Sequence, residues 1–325
     1  MTDKRENGTS GNIKVSVVIV HWNTETDLAN CLNKILDSNL TDYEIIVVDN
    51  FSDNIDTIPW RDYKGKARLI RNMRNEGYAR ATNQGVAVAR GEYVLLLNPD
   101  VELNAEGVRR MVEAIEDDAM AGAATARLVW PDGGFQRYYT RFPTVAALVA
   151  RLTILEPALR NTSLVRNYLK TDMDPEIAQR VETAPGACLL IKNSSLERIG
   201  PMDERLPLFF NDVDYCIRLR NAGLGIVYEP RAVFVHESQA SVKKLDQALW
   251  RAELRLSAVR YIRKHHGSLK AFALKWILTK DLIARQAAGA MRKAARERGG
   301  ADARAGWKGI AMVLKDESLF DDCVR

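Results

Sequence analysis

The 325 residues hold four cysteines, Cys31, Cys188, Cys216 and Cys323, set far apart and never as a CxxC pair. That scarcity excludes a cysteine-based zinc site and a disulfide framework, and it fits a reducing compartment. No apolar run reaches the roughly 18 residues a membrane helix needs. The opening Met1–Gly11 stretch is polar and lacks the apolar centre of a secretion signal. These absences lead to the expectation of a cytoplasmic chain. A glycine-rich phosphate loop is also missing after the first apolar segment, where His21-Trp22-Asn23-Thr24 stands instead. This disfavours a dinucleotide oxidoreductase and a sugar-nucleotide pyrophosphorylase. Internal repeats and low-complexity linkers are absent as well.

What is present is a chain 46% apolar and 27% charged, ample for a sizeable core. The net charge of +5 conceals an asymmetry. Residues 241–300 carry 15 Lys and Arg against 4 Asp and Glu, while the remainder is mildly acidic. A basic end on an acidic body points to an anionic partner. An anionic membrane surface and simple packing of a helical appendage are both compatible with it. Nucleic acid is not expected, because no recognition motif accompanies the charge.

The first half alternates strand and helix patterns. Lys14–Val20, Glu44–Val48, Ala67–Ile70, Glu92–Leu97 and Gly122–Val129 read as buried strands. Between them, Thr24–Ser38, Tyr78–Arg90 and Asn104–Asp117 read as helices, with Thr24 as a cap and Gly91 closing the second. Alternation of this kind builds a doubly wound, mostly parallel α/β sheet, whose ligands bind beyond the carboxyl ends of the strands. The polar clusters His21–Asn23, Asp49–Ser52 and Asn98–Asp100 fall at those ends. Further on, Thr144–Leu159 and Asp212–Asn221 read as helices, and Ala187–Ile191, Gly225–Tyr228 and Ala232–Val235 as strands. From Ser241 the pattern is helical. Leu254, Ala258, Tyr261, Ile262 and His265 line one apolar face, and Phe272, Trp276 and Ile277 another.

Six segments in order carry a resemblance: VSVVIVHWN, VVDNFSD, NEGYARATNQG, LLLNPD, FFNDVDYCIRLRNAG and IVYEPRAVFVHESQAS. From about Val15 to Ser241 the chain resembles family 2 glycosyltransferases of the bacterial rhamnosyltransferase-like branch, which have the GT-A fold. The resemblance implies a flexible tail over 1–13 and a catalytic domain over 14–240. Within it, 14–130 binds a nucleotide sugar and 131–240 an acceptor, and 241–325 forms a basic helical extension. The implied reaction is inverting transfer of a sugar, rhamnose or another deoxysugar among them, from a dTDP- or UDP-linked donor. The acceptor is a hydroxyl of a glycan or lipid-linked molecule at the inner membrane face.

The same resemblance assigns roles. Asp49 accepts from the ring N–H of uracil or thymine, Trp22 stacks on the base, and Asn23, Asn50 and Ser52 add polar contacts. The plain alternative is that Asp49 to Asp53 cap the next element and Trp22 is core. Asn75, Gly77 and Asn83 shape the donor pocket, with Gly77 freeing the start of a helix for an anion. Asp100 is the expected ligand of a Mg²⁺ or Mn²⁺ ion, and His236 completes that site. Asn98, where the family carries an acidic residue, makes a ribose or water-mediated contact. Asp212 is the general base, its charge favoured by a helix N-terminus. Asn211 precedes it where the family has Glu. Asp214 faces elsewhere on the helix; Arg218 and Arg220 read as solvated surface, with neutralisation of Asp214 or of the phosphates by one of them as the alternative. Tyr138, Tyr139 and Arg141 fall in an acceptor-facing segment, Trp130–Arg141. His21, His265 and His266 receive no role. Asn98 and Asn211 also keep open a degenerate transferase acting as a membrane scaffold.

Overall fold

A computed structural model describes residues 14–237, 246–294 and 301–318. The expected tail 1–13, the domain boundary at 240/241 and Cys323 lie outside the described residues. The strands in chain order are β1 (Val15–His21), β2 (Tyr43–Asp49), β3 (Ala67–Arg71), β4 (Tyr93–Leu97), β5 (Val101–Glu102), β6 (Ala121–Val129), β7 (Gln179–Val181), β8 (Cys188–Lys192) and β9 (Gly225–His236). They form one sheet in the order β3-β2-β1-β4-β8-β6-β9-β5, with β7 also on β9. The strands β1 to β4 are mutually parallel. Beyond them β8 runs antiparallel to both β4 and β6, β9 is parallel to β6, and β5 and β7 are antiparallel to β9. The carboxyl ends of β1, β2, β4, β6 and β9 therefore share one edge.

Side-chain alternation builds a core on each face. On one, Val17 and Ile19 of β1 meet Leu28, Leu32 and Ile35 of α1 (Glu25–Asp37) and Val108 and Met111 of α3 (Ala105–Glu116). On the other, Val18, Val94 and Leu96 meet Ala79 of α2 (Tyr78–Val86) and Tyr215 and Leu219 of α8 (Asn211–Asn221). Burial on both faces explains why these strands read as unbroken apolar runs. Between β6 and β7 lie α4 (Val145–Leu152), α5 (Glu156–Leu159) and α6 (Ser163–Tyr168), and α7 (Asn193–Ile199) follows β8. The C-terminal layer is α9 (Gln247–His266), α10 (Ser268–Ala294) and α11 (Ala301–Lys315). Leu148 of α4 packs with Tyr261 and Ile262 of α9 and Leu274 and Leu278 of α10. Among the described residues no helix is long and apolar enough to cross a membrane.

Several local expectations are corrected. The Thr24 hydroxyl bonds His21 Nδ1 at 2.9 Å and does not cap α1. The helix α2 ends at Val86, and Gly91 serves a close approach instead, since a Cβ there would lie 2.6 Å from the Ser16 backbone nitrogen. Thr144–Leu159 breaks at Thr153, whose backbone is extended. The two short strands after Gly223 are one strand, because the register skips from Ala126↔Glu229 to Arg127↔Val233 around Pro230, which has no N–H to pair. On α10 the inward stripe is Ala271, Leu274 and Leu278, while Phe272, Trp276 and Ile277 face outward. The small Ala271 and the two leucines fit against α4 and α9.

Candidate active site

The first cluster forms where β1 and β2 end in register, His21 opposite Asp49. The Asn50 amide donates to the His21 carbonyl, which keeps the two chain ends together past the sheet. Asp49 is buried; one of its oxygens accepts from the Ser52 amide at 3.1 Å, and Arg71 Nε lies 3.7 Å from the other. The Asn23 amide donates to Ser52 Oγ at 2.8 Å. Asn50 is a hub whose Oδ1 accepts from Asn72 and from the Glu76 amide, while its Nδ2 donates to Asn75 Oδ1. Asn75 Oδ1 also accepts from the Gly77 amide. Asn23, Asp49, Asn50, Ser52, Asn75 and Gly77 thus share one hydrogen-bonded rim, and Trp22 sits half-buried beside Asn23.

Two expected features differ. The start of α2 is not an open anion site: Gly77 (φ 79°) packs on Pro207, whose carbonyl accepts from the Ala79 amide. The Asn83 side chain is committed to Met202 and Glu204 and is not brought into the rim. The sequence reading overlooked Phe51, 52% exposed with φ 73° between Asn50 and Ser52. A non-glycine residue in left-handed backbone that presents an aromatic ring to solvent is costly, which makes Phe51 a candidate for the rim.

The second cluster joins the ends of β4 and β9. Asn98 continues from β4, its amide donating to the Ala187 carbonyl, and Asp100 follows at 8% exposure. Val101 of β5 pairs directly with His236. His236 is buried, with Nε2 3.4 Å from Asp100 Oδ1, too long for a hydrogen bond. Gln136 fixes the ring: its amide nitrogen donates to the His236 carbonyl at 2.6 Å, so its oxygen faces Nδ1 at 2.8 Å. Nδ1 must then carry the proton, which leaves a lone pair on Nε2. Both Nε2 and Asp100 Oδ1 are buried without a hydrogen-bond partner. Two acceptors that face each other in a buried site fit a cation between them, and a second residue that orients the imidazole is the usual companion of a metal-ligating histidine. Among the described residues no group of three or more His, Cys, Asp or Glu could hold a metal. Asp100 and His236 could thus supply two protein ligands, with oxygens from a substrate needed to complete a shell around a cation.

The third element is Asp212. Its carboxylate accepts from the Gly186 amide at 3.2 Å and from the Val213 amide at 2.8 Å. Burial raises its pKa above the ordinary carboxylate value despite these donors, so desolvation outweighs the expected helix-terminus effect. Gly186 precedes Ala187, the backbone partner of Asn98, which brings Asp212 beside the end of β4. Tyr78, donating to the Gly186 carbonyl, reports the same convergence: burial pushes its phenol up, and the charges of both Asp212 and Asp100 add to the rise. Asp214 is fully buried and bonded to Lys264, His265 and Arg218, away from this edge. Of the aromatic segment, Tyr138 stands 5.8 Å from the His236 ring, whereas Tyr139 is core, donating to the Ala126 carbonyl between Phe135 and Tyr228. Cys31, Cys188 and Cys216 are buried free thiols.

Comparison with known proteins gives the following. A family model described as "Glycosyl transferase family 2" matches residues 16–200. An uncharacterized protein y4gI of Sinorhizobium fredii is 30% identical over 218 residues, which are 66% of this chain but only 23% of that relative. The N-acetylglucosaminyl-diphospho-decaprenol L-rhamnosyltransferase of Mycobacterium tuberculosis is 26% identical over 229 residues, 67% of this chain and 74% of the relative. Among solved structures, the mannosyltransferase PcManGT from Pyrobaculum calidifontis, in complex with GDP-Man and Mn²⁺, superposes with a TM-score of 0.53. It covers 96% of this chain and 88% of its own at 17% identity.

Proposed function

Because the chain belongs to glycosyl transferase family 2 and has the GT-A fold, we propose that it is an inverting, metal-dependent glycosyltransferase of polysaccharide or glycan biosynthesis. The donor is a nucleoside diphosphate sugar, dTDP- or UDP-linked, with rhamnose or another deoxysugar as the transferred group. The acceptor is a hydroxyl of a glycan or lipid-linked molecule. The relative named as a rhamnosyltransferase of a diphospho-decaprenol acceptor supports this choice. In this reading residues 14–130 hold the donor, 131–240 the acceptor, and 241–325 form a basic extension. The outward Phe272 and Trp276 of α10, with Lys280 Nζ 5.7 Å from the Trp276 ring, support contact with an anionic membrane surface.

The rim around Asp49 and Asn50 receives the base and ribose, with Trp22 and Phe51 as ring-shaped walls and Asn98 nearest the ribose side. Asp100 and His236 would hold Mg²⁺ or Mn²⁺, which supplies positive charge against the diphosphate as it leaves. Asp212 takes the proton of the acceptor hydroxyl as its oxygen attacks the anomeric carbon. Attack from the face opposite the diphosphate inverts that centre in one displacement. A carboxylate desolvated enough to have a raised pKa is a stronger base than a solvated one.

The observation that carries the proposal is the buried, unpartnered pair Asp100 Oδ1 and His236 Nε2. Asp212→Asn is expected to lower transfer by ~10²–10⁴-fold while nucleotide binding persists, the range removal of a general base commonly gives. Asp100→Ala is expected to abolish the dependence of nucleotide affinity on Mn²⁺. Full transfer by Asp212→Asn, or identical nucleotide titrations of the wild type with and without metal, would refute the assignments.

A further inference from the structure

A cavity of about 460 Å³ opens between α4–α6 and the helices α9 and α10, outside the residues discussed so far as donor site. Its lining is chemically divided. Arg151, Arg251, Arg255 and Arg285 form one part, and Phe210, Trp250 and leucines of α4 and α9 form the other. Among the described residues, two carboxylates, Glu156 and Asp281, answer these four guanidinium groups, and Arg255 also donates to the Arg251 and Leu152 carbonyls. Arg151 pairs with Glu156 at 2.9 Å, and Arg255 and Arg285 share Asp281 at 3.0 and 2.8 Å. Arg251 has no acidic partner among the described residues. Arg255 is 4% exposed, and its Nε is buried without a hydrogen-bond partner. Burial lowers its pKa from the ordinary value, and the charges of Arg285 and Arg251 oppose Asp281 by lowering it further.

The cavity also adjoins the candidate base. Phe210, in its wall, is the residue before α8 and lies two positions from Asp212, with its own backbone turned to φ 63°. Tyr168, also in the wall, has a phenol raised by burial and further by the Asp212 charge. Planar guanidinium forks match phosphoryl oxygens, and the apolar wall matches a hydrocarbon. The volume is ordinary for a small-molecule site.

We propose that this cavity is the acceptor subsite, holding the phosphate or diphosphate that joins the acceptor sugar to an apolar chain. The arginines bind the phosphoryl oxygens and Trp250 and Phe210 cover the first carbons of the chain, which leaves the attached sugar directed toward Asp212. This rests on the glycosyltransferase reading above and adds to it the class of acceptor and the residues that select it.

The full-length protein, kept in EDTA to leave the donor site without metal, is titrated with farnesyl diphosphate, inorganic pyrophosphate and farnesol, followed calorimetrically and by tryptophan fluorescence. Farnesyl diphosphate is expected to bind at least 10-fold more tightly than either half alone. Arg251→Glu, at an exposed position, is expected to weaken it at least 10-fold, and Trp250→Leu likewise. Binding of dTDP or UDP with Mn²⁺ is expected to be the same in Arg251→Glu and wild type. Equal farnesyl diphosphate binding by wild type and Arg251→Glu overturns the subsite, and pyrophosphate binding as tightly as farnesyl diphosphate overturns its lipid half. Nucleotide binding without any farnesyl diphosphate binding overturns the cavity assignment alone. Failure of both ligands overturns the proposed function with it.

Discussion

Replacing Asp214 with asparagine isolates a buried charge that chemistry does not use. Its carboxylate is fully buried and lies 2.6 Å from Lys264 Nζ, 2.7 Å from His265 Nε2 and 2.9 Å from Arg218 Nε. One group therefore ties α8, which bears Asp212, to α9. Breaking a buried ionic contact by removing one partner costs about 3–5 kcal/mol. The low end applies, because Lys264 keeps Asp203 at 2.7 Å and Arg218 keeps the carbonyls of Ile199 and Pro201. With an unfolding entropy of roughly 2.1 cal/mol/K per residue, a chain of 325 residues loses ~4 °C of Tm for ~3 kcal/mol. Urea unfolding and calorimetry at pH 7 measure it. The control is Glu113→Gln, which breaks an exposed pair with Arg109 and should cost under ~0.5 kcal/mol. The pH dependence has a definite sign. Burial pushes the Asp214 pKa up, but hydrogen bonds from His265 and Lys264 and the Arg218 charge outweigh it and hold it below the ordinary value. The stabilisation is then complete above the unfolded-state pKa of roughly 3.9 and drains away as pH falls below that. A loss under ~1 kcal/mol at pH 7, or one no larger than that of Glu113→Gln, refutes the reasoning.

Gln136→Leu leaves the His236 ring without its orienting acceptor and is expected to weaken Mn²⁺ binding in the presence of nucleotide by ~10–100-fold, read by titration of the ion. Asp212→Asn should raise Tm at pH 7 while removing activity, because a carboxyl whose pKa is raised on folding stabilises only below its unfolded pKa and opposes folding once ionised. Equal or lower Tm in that variant contradicts the desolvation argument. Phe51→Asn relaxes a left-handed residue, with an expected gain of up to ~1 kcal/mol in urea unfolding, yet should weaken nucleotide binding measured calorimetrically. A variant with unchanged affinity removes Phe51 from the donor rim.

The first half of the fold was readable because β1, β2 and β4 are buried on both faces and end abruptly in polar clusters. Asp49, Asn50 and Asp100 announced themselves by that position. Gln136 did not, since it belongs to a segment without periodicity and meets His236 exactly one hundred positions away only through tertiary structure. The same distance problem hid two of the three partners of Asp214, Lys264 and His265, which lie 50 and 51 residues further along, whereas Arg218 is one helical turn away. Tyr139 sits among polar neighbours in a segment read as acceptor-facing, but the aromatic cage of Phe135 and Tyr228 takes it inside. On α10 the aromatic stripe was the more conspicuous, yet the smaller residues one step around the helix fit the neighbouring helices. Asn83 carried a motif position, and its chemistry went to holding Met202 and Glu204 in place.

The two-residue strand β5 has a consequence for the order in which the protein comes into being. Asp100 is made early in synthesis, but it faces His236 only after β9 has emerged and paired through Val101. A nascent chain that has completed β1 to β4 already has the strands whose ends carry Asp49, Asn50 and Asn98, whereas Gln136, Asp212 and His236 are still to come. On the proposed reading, the residues of the base rim are therefore in the chain before Asp212 and His236, and the site is complete only once β9 has been made.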